Sequence, residues 1–213
     1  RDPGAKAKNA HLAAMPGADR LTLVAADLTA PDPFTDHADV DVIMHLASPY
    51  VINVKDPQRD LVDPAVQGTL SMLRAAATSR RVKRVVLTSS FAAVTDSPDG
   101  RVLTDADWNT TSSLTRNPYY YSKTMAERAA WEFMAREKPA FDLVVINPFL
   151  VIGPSHTAAI NTSPQTLVDI ITGRYPAILA LTWGFVDVRD VAAAHVAAME
   201  RPEAKGRYLC VAG

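Results

Sequence analysis

Residues 82–90 read Val-Lys-Arg-Val-Val-Leu-Thr-Ser-Ser, and this stretch decides the fold. Its first part, 82–87, is short, largely apolar, rich in β-branched residues and followed by a polar run, which is typical of a strand buried on both faces of a parallel sheet. Similar runs predict further strands at 21–25, 40–46, 143–146 and 208–211. Helical patterns separate the strands, at about 60–79, 118–137, 164–172 and 188–199. Because strands and helices alternate, we predict right-handed βαβ units and a doubly wound α/β sheet.

The composition limits the class of protein. With 213 residues, 48% of them hydrophobic, the chain is long enough to bury one substantial core. The 22 Lys and Arg against 23 Asp and Glu are scattered, which argues against a nucleic-acid partner and favours a small ligand. Cys210 is the only cysteine, so no internal disulfide can form. No apolar run approaches the roughly 20 residues of a membrane span, and we expect a soluble, cytoplasmic protein without a membrane partner.

A tyrosine and a lysine four positions apart begin the predicted helix at 118–137, in the run Tyr119-Tyr120-Tyr121-Ser122-Lys123. Positions four apart lie on one helix face, so Tyr119 and Lys123 can act on the same atom, whereas Tyr120 and Tyr121 cannot share that face. Upstream, Ser90 ends the 82–87 strand, and polar segments at 97–115 and 153–165 predict loops after strands. In open α/β sheets, ligands bind outside the carboxyl ends of the strands. We therefore expect Ser90, Tyr119 and Lys123 in one cleft.

This set suits hydride transfer between a nicotinamide and a carbonyl carbon. Tyr119 would donate the proton, and the Lys123 cation would lower a tyrosine pKa of about 10. Ser90 would hydrogen-bond the carbonyl oxygen and fix its position. Each part also has a structural explanation: the tyrosine can pack in a half-buried position, and the serines can end a strand or cap a helix. A hydrolase is disfavoured because the chain has no Gly-x-Ser-x-Gly elbow, and no residue cluster has metal-ligand spacing.

At these residues the chain resembles the extended short-chain dehydrogenases/reductases of the NAD-dependent epimerase/dehydratase superfamily. Within that superfamily it is most similar to dihydroflavonol reductases, cinnamoyl-CoA reductases and related microbial aldehyde or ketone reductases. The resemblance extends over nearly the whole chain, and its segments occur in the family's order. They lie at 1–3, 26–28, 45–49, 63–70, 88–90, 119–124, 147–154, 185–192 with His195, and 206–208.

The resemblance implies a Rossmann-like fold that binds NADP, with NAD as a possibility. Arg1 matches an arginine that meets the 2′-phosphate, for which a guanidinium fork is suited. Other residues match positions that contact the adenine, the phosphates and ribose, or the nicotinamide of the cofactor. They are Asp27 and Leu28 for the adenine, Ala47 and Ser48 for the phosphates and ribose, Lys123 for the nicotinamide ribose, and Pro148 and Val151 beside the nicotinamide.

Aromatic side chains are the candidates for substrate contacts, although each could instead belong to the core. They are Tyr50, Phe91, Phe149, Trp183 and Phe185. We expect structural roles for His45 and His195, and we expect Asp187 and Asp190 to begin a helix.

The chain departs from the family pattern in two ways. Pro64 stands where many extended members carry an asparagine, which points to the reductases and away from sugar-nucleotide epimerases. None of the nine glycines forms a Gly-x-x-Gly-x-x-Gly or Gly-x-Gly-x-x-Gly turn, and no strand precedes Arg1. We therefore expect these residues to be part of a longer polypeptide, with the N-terminal βαβ portion and the C-terminal end outside them. A chain that begins at Arg1 is expected to bind cofactor weakly, because the pyrophosphate cradle would be missing.

The sequence predicts one domain over 1–213 with a small substrate-binding appendage. The cofactor part is placed at roughly 1–150 and 186–200, and the substrate side at roughly 151–185 and 201–213. The expected function is NADP(H)-dependent reduction of a small aldehyde or ketone by a monomer or homodimer. Two alternatives stay open: a sugar-nucleotide epimerase or dehydratase with bound NAD, and a truncated remnant that binds a ligand without catalysis.

Overall fold

A four-stranded parallel sheet forms the centre of the molecule. The computed structural model describes residues 3–28, 30–49, 54–97, 99–157, 161–174 and 184–212. The strands are β1 (Val42–His45), β2 (Arg84–Thr88), β3 (Asp142–Pro148), β4 (Leu150–Ile152), β5 (Phe185–Asp187) and β6 (Gly206–Cys210). The helices are α1 (Lys6–Ala13), α2 (Asp63–Thr78), α3 (Pro118–Glu137), α4 (Thr162–Ile171) and α5 (Val188–Glu200). The main sheet has the order β1-β2-β3-β6, and β4 pairs with β5 in a second, two-stranded parallel sheet.

Both faces of the main sheet are covered by helices, as the apolar runs predict. Along β2, Val85 and Leu87 pack toward α2 and α3, whereas Val86 between them packs toward α5. The alternation repeats in β3, and Val86 is aligned with Val144 in the parallel register. Successive side chains of a strand point to opposite faces, so a strand between two helical layers must be apolar throughout. The α/β class and the Rossmann-like parallel sheet are confirmed.

The prediction of a strand at 21–25 is wrong. The segment joins no sheet. A strand needs a neighbouring strand for its hydrogen bonds, and within the described ranges none pairs with this segment. Leu21 and Val24 are accordingly 48% and 43% exposed.

The other predicted elements are present, most of them with shifted ends. The helix predicted at 60–79 begins with a π-helical segment, Gln58–Val62, that continues into α2. The prediction for α3 matches both of its ends. Two further elements were not predicted from the sequence: α1 and the small β4–β5 sheet, whose strands span only three residues each. The division into a cofactor part and a substrate side stays a prediction; β6, within the predicted substrate-side range, pairs with β3 in the main sheet.

None of the described helices is long and apolar enough to cross a membrane. In the same parts of the chain, no group of three or more His, Cys, Asp and Glu side chains is placed to hold a metal ion.

Candidate active site

Ser90 lies just beyond the carboxyl end of β2 and begins a short 3₁₀ turn, Phe91–Ala93. Its hydroxyl oxygen accepts a hydrogen bond from the backbone N–H of Ala92 at 3.1 Å. Ser90 therefore caps this turn, which is the structural role that the sequence also allowed. A hydroxyl group that accepts one hydrogen bond still has a proton to donate, so the cap is compatible with a contact from Ser90 to a substrate oxygen.

Tyr119 and Lys123 lie on adjacent turns of α3. The helix begins at Pro118, whose fixed φ suits the first helical position, and Asn117 before it has a positive φ of 51°. Tyr119 is half-buried and Lys123 is only 8% exposed. The Lys123 ammonium nitrogen lies 5.7 Å from the centre of the Tyr119 ring. The four-residue spacing thus brings the cation to the tyrosine, as the helix geometry predicts.

A cavity of about 290 Å³ joins the serine and the tyrosine. Ser90 and Tyr119 both line it, and so do Phe91 and Phe149, two of the aromatic residues considered for substrate contacts. The Phe91 and Phe149 rings pack with their centres 4.5 Å apart. Tyr120 and Ser163 line the cavity as well. The structure therefore brings Ser90 and Tyr119 together beside an aromatic wall.

Burial determines the electrostatics next to this cavity. It lowers the pKa of Lys123 from 10.5 to about 8. In the part of the chain that the structure describes, no carboxylate forms a salt bridge with this ammonium group. At the end of β1, burial and then the charge of Lys123 lower the pKa of His45 to about 4. His45 is therefore neutral at pH 7, and it packs edge-on against Phe34 with ring centres 6.2 Å apart.

The remaining residues assigned to the cofactor are distributed around the same edge of the sheet. Ala47 and Ser48 follow β1, and Pro148 ends β3. Because β1, β2 and β3 are parallel, the residues after them lie on the edge that carries Ser90. Val151 lies in β4.

The residues assigned to the adenine lie in the segment before α2. Leu28 packs closely on that helix: a Cβ added at Gly68 would lie 2.9 Å from the Leu28 Cδ2 atom. Asp27 precedes it and is exposed. The glycine therefore permits a close approach that any larger residue would obstruct. Arg1, Tyr50 and Trp183 lie outside the described residues, and Phe185 begins β5 in a half-buried position.

A buried hydrogen-bond network that was not predicted from the sequence surrounds Glu127. This residue lies one helical turn beyond Lys123. Its side chain is fully buried. One carboxylate oxygen accepts from Arg207 Nε at 2.5 Å and from Trp131 Nε1 at 3.3 Å. The other accepts from Ser89 Oγ at 2.6 Å and from Asn147 Nδ2 at 2.7 Å. The one signal in the sequence was the i, i+4, i+8 spacing of Tyr119, Lys123 and Glu127, which places all three on one face of α3.

Asp96 is a second buried carboxylate and fastens the loop that leads into α3. It accepts hydrogen bonds from Ser112 at 2.7 Å, from Asn117 at 2.9 Å, from Arg116 at 3.3 Å and from Thr111. Burial alone would raise the pKa of Asp96, but these donors outweigh it and lower the pKa to about 2. The chain entering the helix at Pro118 is thereby held in place.

The expectations for His195 and Asp187 agree with the geometry. His195 is buried, with Nδ1 2.7 Å from the Val191 carbonyl oxygen and Nε2 2.6 Å from Thr88 Oγ1. Both ring nitrogens are thus occupied by structural contacts. Asp187 caps α5 by accepting from the Arg189 backbone N–H at 2.8 Å.

Comparison with known proteins identifies the family. Residues 2–211 match the model of the NAD dependent epimerase/dehydratase family. The chain is 41% identical over 222 residues to a cinnamoyl-CoA reductase of Medicago truncatula, covering 99% of this chain and 66% of that protein. A vestitone reductase from alfalfa matches with a TM-score of 0.79 and 30% identity, over 100% of this chain and 67% of the other. A yeast methylglyoxal/isovaleraldehyde reductase complexed with NADPH matches with a TM-score of 0.76 and 33% identity, over 87% and 62%.

The chain thus spans about two thirds of the length of such relatives, or less. The resemblance to the reductase group is confirmed by these matches. The chain belongs to the NAD dependent epimerase/dehydratase family.

Proposed function

We propose that this protein is an NADP(H)-dependent oxidoreductase that reduces a small aldehyde or ketone. The observation that carries the proposal is the arrangement of Ser90 and Tyr119 around one cavity, with the Lys123 ammonium group beside the tyrosine ring. The similarity to a yeast reductase complexed with NADPH, and to a cinnamoyl-CoA reductase, supports both the reaction class and the cofactor. NADP rather than NAD rests on those relatives and on Arg1.

The side chains would divide the work of carbonyl reduction. Ser90 would donate a hydrogen bond to the carbonyl oxygen and fix its position, and Tyr119 would transfer a proton to that oxygen as negative charge develops. The Lys123 cation would favour the ionised form of the tyrosine. Bound NADPH would supply the hydride for the carbonyl carbon.

One described residue, Lys123, supports the binding of such a cofactor. Lys123 is buried without a carboxylate partner in the described ranges, so its donors can face the hydroxyl groups of the nicotinamide ribose. Asp27, Leu28, Ala47, Ser48, Pro148 and Val151 would contact the rest of the cofactor. The cavity walls formed by Phe91 and Phe149 favour a substrate whose carbonyl group is attached to an apolar body.

Replacement of Tyr119 with Phe tests the proposal. In the natural full-length polypeptide, Tyr119→Phe should lower kcat for carbonyl reduction by about 10²–10⁴-fold, the usual contribution of a positioned proton donor. The dissociation constant for NADPH should stay within about twofold. Tyr121→Phe is the matched control, because it removes the same hydroxyl group from a residue that does not line the cavity. Turnover that survives in Tyr119→Phe would refute the assignment.

NADPH titration followed by thermal unfolding tests cofactor binding separately. At 100 times the dissociation constant, binding should stabilise the protein by about 2.7 kcal/mol. The absence of a shift would favour a binding remnant, and NAD that stays bound through purification would favour an epimerase or dehydratase. The cytoplasmic location and the monomeric or dimeric state stay predictions.

A further inference from the structure

Asn147 links the candidate active site to the buried network of Glu127. It lies near the end of β3 and has no exposed surface. Its side-chain amide nitrogen donates to the backbone carbonyl oxygen of Ser90 at 3.1 Å and to Glu127 Oε2 at 2.7 Å. One amide group therefore bridges the main chain of the serine and a buried carboxylate.

This contact occurs where the ladder between β2 and β3 ends. The Ser89 N–H donates to the Ile146 carbonyl oxygen at 2.8 Å. The Ser90 carbonyl oxygen accepts from the Ala93 N–H at 3.0 Å within the 3₁₀ turn and, in addition, from the side chain of Asn147. The Asn147 side chain thus ties the main chain of Ser90 to β3 at a point where Ser90 has already left the sheet.

Glu127 in turn is fixed by its other partners. Arg207 is 6% exposed at its side chain, and besides the carboxylate it donates to the carbonyl oxygens of Asp105 at 2.8 Å and Asp107 at 2.5 Å. Its guanidinium group also stacks on Trp108 at 3.9 Å. Separating a buried, hydrogen-bonded ion pair is costly, so the carboxylate has one stable position. Asn147 therefore donates from a rigid support.

We infer that Asn147 is a positioning residue for the proposed reduction. It holds the Ser90 main chain so that the hydroxyl group faces the cavity, and the Glu127–Arg207 pair holds the Asn147 amide. The inference rests on the proposed function, because it assigns a task to Ser90 in that reaction. A displacement of about 1 Å at a reacting group can cost about 10²-fold in rate, so this support matters for turnover without touching the substrate.

A double-mutant cycle between Asn147 and Ser90 in the natural full-length polypeptide tests the inference. Asn147→Ala should lower kcat at least about tenfold in the wild-type background while the dissociation constant for NADPH stays within about twofold. In a Ser90→Ala background the same substitution should have no further effect on kcat, because no serine hydroxyl group is left to position. Trp131→Phe is the control: it removes a donor to Glu127 but no contact to Ser90, and kcat should change less than twofold.

The possible results separate the inference from the proposed function. A tenfold loss from Asn147→Ala in both backgrounds would indicate a general structural role and overturn the inference, while the proposed function stands. Full turnover in Ser90→Ala would overturn the inference and the role assigned to Ser90, whereas a wild-type protein that shows no NADPH-dependent reduction would overturn the proposed function. If Asn147→Ala does not fold, Asn147→Ser, which keeps a shorter donor, should show the same dependence on Ser90, and independent effects in that pair would overturn the inference.

Discussion

Lys123→Met is predicted to stabilise the protein at neutral pH while removing a group that the proposed reaction needs. Burial lowers the pKa of Lys123 from 10.5 to about 8, and a shift of this size corresponds to about 3 kcal/mol. Met keeps most of the aliphatic stem but carries no charge to bury. In the absence of cofactor, the free energy of unfolding at pH 7 should therefore rise by up to about 3 kcal/mol.

The lowered pKa of Lys123 determines how the predicted stabilisation changes with pH. Below pH 8 the folded protein bears the full cost of the buried cation. Between pH 8 and 10.5 the unfolded state binds more protons than the folded state, so the stability of the wild type rises with pH relative to the variant. The gain from Lys123→Met should therefore shrink over this window and vanish above it.

Urea unfolding of wild type and variant at pH 7 and pH 10 measures both effects. Lys205→Met is the control, because this exposed lysine should change stability by less than about 0.5 kcal/mol. A Lys123→Met protein that is no more stable than the wild type at pH 7 would refute the argument. Loss of turnover in the same variant would then show that a group needed for activity costs stability.

The remaining predictions concern the loop, the second sheet and the cavity. Asp96→Asn should lower the free energy of unfolding at pH 7 by about 1–2 kcal/mol after solvent screening is considered. Because the pKa of the Asp96 carboxyl is lowered from 3.8 to about 2, urea unfolding should show the difference in stability between wild type and variant shrinking as the pH falls through that range. Gly153→Ala should cost about 1–3 kcal/mol in thermal unfolding, since φ is +131° and the new Cβ would lie 2.9 Å from Val188 Cγ1. Phe149→Ala removes the ring packed on Phe91 and should raise KM more than it lowers kcat; a change in kcat alone would contradict a substrate contact.

The elements that could be predicted from sequence are those whose pattern is local. The three central residues of β2, Val85, Val86 and Leu87, are all apolar and pack between two helical layers, and α3 begins at a proline that is suited to a first helical turn. The segment 21–25 has the same apolar composition, but a strand also depends on a neighbour far away in sequence. The three-residue strands β4 and β5 are too short to show a period.

The same distinction applies to the candidate site. Ser90 and Tyr119 line one cavity because one follows a parallel strand and the other begins a neighbouring helix, which the order of elements predicts. The Glu127–Arg207 pair joins residues 80 positions apart. Charged side chains are mostly exposed, and the helical spacing of Glu127 with Tyr119 and Lys123 places it on their face of α3 without indicating that Arg207 would be buried against it.

The helix α3 carries two buried charges on one face, and their partners give them different uses. Glu127 is bound on both carboxylate oxygens, so its charge is balanced and its geometry is fixed. Lys123 is buried without a carboxylate partner in the described parts of the chain, so the folded protein bears part of the cost of its charge. A balanced charge can hold its neighbours but has little left to offer a ligand, whereas a desolvated and unpaired cation interacts strongly with any suitable group that arrives. Glu127, which holds its neighbours in place, and Lys123, which the proposed reaction needs, thus lie one turn apart on α3, and Lys123 is the one that destabilises the fold.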